Sequence, residues 1–132
     1  MSVYKNVEIK ELVGKAIKKI DGLENESEKV IIITECGKEY IFHHVQDCCE
    51  QVYLIDHDGD ADDFVGSLVL SAECIESFDN VQKPEDDFDS YTWTFYKIET
   101  SKGGLWMRWY GGSNGYYSEK VDFAFVDGVI CK

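Results

Sequence analysis

What most limits the folds open to this chain is a series of short segments in which side-chain character alternates with a period of two, separated by turns that carry glycine. In 91–100 (YTWTFYKIET), Trp93 and Phe95 fall on one face and Tyr96 and Ile98 on the other. In 105–110 (LWMRWY), Leu105, Met107 and Trp109 oppose Trp106, Arg108 and Tyr110. The segment 116–126 holds Val121, Phe123 and Phe125 at the same spacing. A period of two is the signature of a strand with unlike faces. Earlier runs at 29–35 (KVIIITE) and 38–45 (KEYIFHHV) are β-branched and aromatic, and Cys36-Gly37 between them reads as a hairpin turn. Further strands are predicted at 52–56 and 68–75, and Lys102-Gly103-Gly104 makes a second hairpin turn.

Helical spacing is confined to 4–20, where Gly14 interrupts it, so a short helix followed by a strand is expected. Residues 60–66 (DADDFVG) read as an acidic turn or short helix ending at glycine. The segment 78–90 holds the only proline and five acidic residues, and is expected to be a mobile loop. No internal repeat, heptad or basic patch is visible. The expected class is α+β: one domain over 1–132, mainly an antiparallel twisted sheet with one or two short helices.

A hydrophobic fraction of 44% suffices for an ordinary core. No apolar stretch approaches the ~20 residues of a membrane span, and the N-terminus lacks the apolar core of a signal peptide. Thirteen basic against 26 acidic residues give a net charge of −13. Such a field repels phosphate backbones, which argues against direct nucleic-acid binding and leaves solubility or docking on a basic partner. The five cysteines are odd in number and two of them, Cys48 and Cys49, are adjacent. That pattern predicts free thiols in a reducing cytoplasm.

Three stretches could carry chemistry. The first, 43–50 (HHVQDCCE), gathers histidines, thiols and carboxylates, but a strand would point His43 and His44 to opposite faces, and no second ligand pair follows. No metal, cofactor or catalytic group is therefore assigned. The second, 56–63 (DHDGDADD), begins like a calcium loop. The glycine and glutamate that such a loop needs at its sixth and twelfth positions are replaced by Ala61 and Ser67. The third, 102–119, surrounds the only arginine, Arg108, with tryptophan, tyrosine and asparagine. A guanidinium fork between aromatic faces suits a flat anionic ligand. The expected ligand site is therefore Arg108, Trp106, Tyr110, Trp93, Asn114, Tyr116 and Tyr117, joined by His43, His44, Asp47 and Glu50 of the first stretch. The alternative is a partner-binding acidic face made by Asp58, Asp60, Asp62 and Asp63.

The strings QDCCE at 46–50, GDADDFVG at 59–66, TWTFYKIET at 92–100 and RWYGGSNGYYSE at 108–119, with LVGKAIKKIDG near the N-terminus, resemble a family of small phage- and prophage-encoded proteins of unknown function. The resemblance implies a mobile-element origin in a bacterial host cell and supplies no site residues. Such accessory proteins act by binding. The expected activity is therefore sequestration of a nucleotide-like host-defence signal by a homo-oligomer, and the alternative is inhibition of a basic host protein.

Overall fold

The computed structural model describes residues 3–44, 49–77, 90–113 and 119–127. The β-branched and aromatic runs form strands as their period requires. Two antiparallel sheets result, with the β1 strand (Val3–Asn6) one that the sequence reading did not foresee. The first sheet has the order β1-β9-β4-β3-β2, where β2 is Ile17–Asp21, β3 Lys29–Thr34, β4 Glu39–His43 and β9 Asp122–Asp127. The second has the order β5-β8-β7-β6, where β5 is Gln51–Asp58, β6 Val69–Ser77, β7 Ser90–Thr100 and β8 Gly103–Ser113. The antiparallel expectation holds, and the expected short helices are two single 3-10 turns, Ile9–Leu12 and Ala61–Phe64.

The inner faces of the two sheets meet in one core. Phe42 of the first packs edge-on against Tyr96 of the second, with ring centroids 4.7 Å apart, and Tyr40 stacks on Phe123 at 5.4 Å. Leu105, Met107 and Trp109 enter this core, as their period predicts. Each such side chain removed from water contributes about 1.5–3 kcal/mol.

The chain is built twice from one unit, which corrects the reading that it has no repeat. Residues 8–17 (EIKELVGKAI) and 60–69 (DADDFVGSLV) share an acidic start, an apolar residue, Val-Gly and a strand opening. Their backbones match. Val13 and Val65 sit at φ −63° and −61°, and the glycines after them at φ 87° and 83°. The two copies also grip each other reciprocally. Gly14 N–H donates to Val69 O at 2.8 Å and Gly66 N–H to Ile17 O at 2.7 Å. Ile17 N–H donates to Ser67 O at 2.8 Å and Val69 N–H to Lys15 O at 2.9 Å, around an Ala16–Leu68 bridge. These exchanges place a local pseudo-two-fold axis at that bridge.

The correspondence extends along the strands. Ile17 pairs with Thr34 and Val69 with Thr100, and a register shift follows at the same point in each copy. The strand orders agree as well: β5-β8-β7-β6 mirrors β1-β4-β3-β2 once β9 is recognised as inserted between β1 and β4. The repeat escapes a reading of identities because backbone geometry, rather than side chains, is what the two copies share.

Gly14 and Gly66 occupy the left-handed region, which a Cβ disfavours by about 1–2 kcal/mol. Gly14→Ala and Gly66→Ala should each lower stability by that amount and by nearly equal increments. Urea unfolding checks this, and a cost at only one of the two sites would show that the halves are not mechanically equivalent.

Candidate functional site

On the outer face of the second sheet, the alternation of β7 and β8 brings together Trp93, Arg108 and Tyr110. Trp93 lies opposite Tyr110 in register, and Tyr53 of β5 lies opposite Tyr110 on its other side. Their rings touch in series, Trp93–Tyr110 at 5.2 Å and Tyr53–Tyr110 at 5.7 Å. Trp93 and Tyr110 are fully buried, yet they belong to this outer cluster and not to the core between the sheets. The Arg108 guanidinium lies 5.2 Å from the Trp93 ring, a cation–π arrangement. Register places Arg108 opposite Asp56, just past an irregularity in β5. The carboxylate, half exposed, stands 3.8 Å from the nearest guanidinium nitrogen, too far for a hydrogen bond. Arg108 Nε and Trp93 Nε1 are both buried and meet no acceptor among the described residues. Trp106 is exposed beside them.

A second polar group sits at the end of the inter-sheet core, where β4 and β5 meet 119–121. His44 Nε2 is 2.8 Å from Glu50 Oε2, and His44 Nδ1 is 2.7 Å from Lys120 O. A carbonyl can only accept, so Nδ1 carries a hydrogen. The Nε2–Glu50 contact then holds one further proton between imidazole and carboxylate. Glu50 is buried, and Glu119 nearly so. Glu119 accepts from Thr92 Oγ1 at 2.8 Å and from Ser113 Oγ at 2.5 Å. Sequence reasoning found His44 and Glu50 but missed Thr92, Ser113 and Glu119, which lie far apart in the chain. The available signal was Gly111, which lies two residues before Ser113. A Cβ there would fall on the Glu119 carbonyl, so the glycine marks a close backbone approach.

The structure separates the groups that the sequence reading combined. Glu50 follows the inward parity of Val52 and Leu54, whereas Arg108 and Tyr110 stand on the outer face. His43 ends β4, opposite Lys29 and Asp122, and is half-buried. Burial pushes its pKa below the ordinary 6.5, opposed in part by the Asp122 carboxylate. Asp58 closes β5, and Asp60, Asp62 and Asp63 lie exposed around the second 3-10 turn. Asp47, Asn114, Tyr116 and Tyr117 lie outside the described residues, as does the expected loop at 78–89.

A cleft of about 520 Å³ opens elsewhere, between the end of β1 with the first 3-10 turn and β6. Cys74 and Tyr96 lie in its wall, and burial raises the pKa of both the thiol and the phenol. Among the described residues, no three His, Cys, Asp or Glu side chains converge as a metal site. Cys36 and Cys49 each take part in a disulfide, and Cys74 is a free thiol. The expectation of five free thiols is thereby corrected: an odd count requires one thiol left over and says nothing about the rest. Among the described residues, no helix is long and apolar enough to cross a membrane.

No curated protein and no solved structure matches the chain. A family model described as a domain of unknown function (DUF7448) matches residues 10–123, which takes in β2 to β8, the second 3-10 turn and the polar groups described above, but not β1 or most of β9. The chain belongs to the DUF7448 family.

Proposed function

We propose that the protein binds a small, flat, anionic ligand of nucleotide type on the outer face of its four-stranded sheet. The observation that carries this reading is the pair of buried donors in an aromatic cluster, Arg108 Nε and Trp93 Nε1, that meet no acceptor among the described residues. A buried N–H left unmade costs about 1–3 kcal/mol, which an oxyanion recovers once it displaces the atoms that cover these donors. The weak contact to Asp56 leaves the guanidinium fork free to take phosphate or carboxylate side-on. Trp93 and Tyr110, both fully buried, back the site, and the accessible rings of Tyr53 and Trp106 supply the faces on which a base could stack. The motif resemblance to phage-encoded proteins supports sequestration, in a bacterial cell, as the use of such binding.

Isothermal titration with a panel of linear and cyclic nucleotides, with inorganic phosphate as a control, tests the reading. At least one nucleotide should bind, and Arg108→Lys should weaken it at least tenfold while leaving the melting temperature nearly unchanged. A destabilised Arg108→Lys variant, in a protein that binds no member of the panel, would make Arg108 a structural partner of Asp56 and end the proposal.

A further inference from the structure

A sheet that is not closed into a barrel has two edges, and this protein treats the two edges of its four-stranded sheet differently. At the β5 edge, the chain covers itself. Glu26 N–H donates to Leu54 O and Leu54 N–H to Ser27 O, both at 2.7 Å, so the turn between β2 and β3 caps the β5 edge through Leu54. At the β6 edge, among the described residues, backbone hydrogen bonds beyond the sheet engage the first residue, through Gly14 N–H to Val69 O and Val69 N–H to Lys15 O. From Leu70 to Ser77, among the described residues, backbone hydrogen bonds run to β7 alone.

Open edges are ordinarily guarded by lysine, proline, shortness, a bulge or other charged side chains. Of these, β6 has a register shift at its start and the carboxylates of Glu73 and Glu76, which repel an acidic strand and attract a basic one. β6 has nine residues, neither Lys nor Pro, and carries Leu70 and Ile75 at 56% and 50% exposure. Beside it lies the cleft, floored by Ile9, Ala72, Val121 and Phe123. Its rim holds four carboxylates, Glu8, Glu73, Glu76 and Asp122, against two ammonium groups, Lys10 and Lys120. An extended segment on β6 would set alternate side chains over the apolar floor, beside Ala72 and the Glu76 carboxylate, and the others on the opposite face beside Glu73.

We infer that β6 and this cleft are a docking site for an extended basic peptide segment of a partner protein, added to the sheet as a fifth strand. Charge selects the partner. Two copies of a chain with net charge −13 would bring Glu73 and Glu76 against their own counterparts, which opposes pairing of β6 with itself. A lysine-bearing strand meets the same carboxylates favourably and satisfies the open backbone. The site is distinct from the Arg108 face and does not depend on that reading.

The test uses a labelled peptide, KVKFKVKF, its acidic counterpart EVEFEVEF, and two versions of the basic peptide N-methylated on one or the other set of alternate amides. Anisotropy should show micromolar binding of the basic peptide that weakens with salt. Amide exchange at residues 70–77 should slow at least tenfold when it binds. Glu73→Lys with Glu76→Lys, both exposed positions, should weaken binding at least tenfold, and one of the two methylated peptides should fail to bind. Equal binding of both methylated peptides would rule out strand addition, and equal binding of EVEFEVEF would rule out charge selection. Absence of binding, or exchange protection at 70–77 in a peptide-free dimer, would overturn the inference outright.

Discussion

Removing either partner of the His44–Glu50 pair is expected to lower the unfolding free energy by about 3–5 kcal/mol, a large part of the stability of a small domain. Both side chains are almost wholly inaccessible, at 5% and 0%, so neither can recover its hydration when the other is lost. His44→Ala leaves the Glu50 carboxylate buried without its imidazole. Glu50→Ala leaves His44 Nε2 facing no carboxylate, while Nδ1 stays fixed on Lys120 O. The double variant should cost less than the sum of the two single ones, because the contact between the two side chains is lost only once. His44 follows β4 directly, Glu50 precedes β5, and Lys120 precedes β9, so the pair ties three connections at one end of the core. Urea unfolding of the three variants measures this coupling. Additive losses would show that the two side chains act separately.

Gly111→Ala is expected to destabilise the fold by about 3 kcal/mol or more, the upper range for overpacking. Gly111 lies on β8 between Val52 of β5 and Thr92 of β7, with strands paired on both sides. A Cβ at this position would fall on the carbonyl oxygen of Glu119 and press on its carbonyl carbon and Cβ. None of these atoms can swing aside, because the Glu119 carboxylate is held by Thr92 and Ser113. Gly104→Ala, in the same strand, is the control. Its nearest atoms are the Glu99 carboxylate oxygens at 3.2–3.3 Å, the far end of a flexible side chain, and the cost should stay below about 0.5 kcal/mol. Comparable losses at the two positions would mean that glycine is required in β8 for backbone reasons and not for the approach of Glu119.

The sequence by itself determined the strands after β1 and the faces of those that alternate. Period two placed Leu105, Met107 and Trp109 inward and Trp106, Arg108 and Tyr110 outward, because alternation is a local property of extended backbone. The turns at Cys36-Gly37 and Lys102-Gly103 were legible for the same reason: the left-handed φ of Gly37 and Gly103 is a local demand that few other residues meet.

Only the tertiary structure decided what those faces adjoin. His44 and Glu50 were read as companions of Arg108 because they shared a polar vocabulary, and the sheet places them on opposite sides. Thr92, Ser113 and Glu119 come from β7, from β8 and from the chain leading to β9, so their convergence depends on strand order, which no local pattern encodes. The repeat remained hidden in the same way. Its reciprocal hydrogen bonds around Ala16 and Leu68 join residues that few identities link in sequence, and they exist only once both halves have folded against each other. Side-chain periodicity is written residue by residue, whereas pairing between distant strands is a property of the assembled backbone.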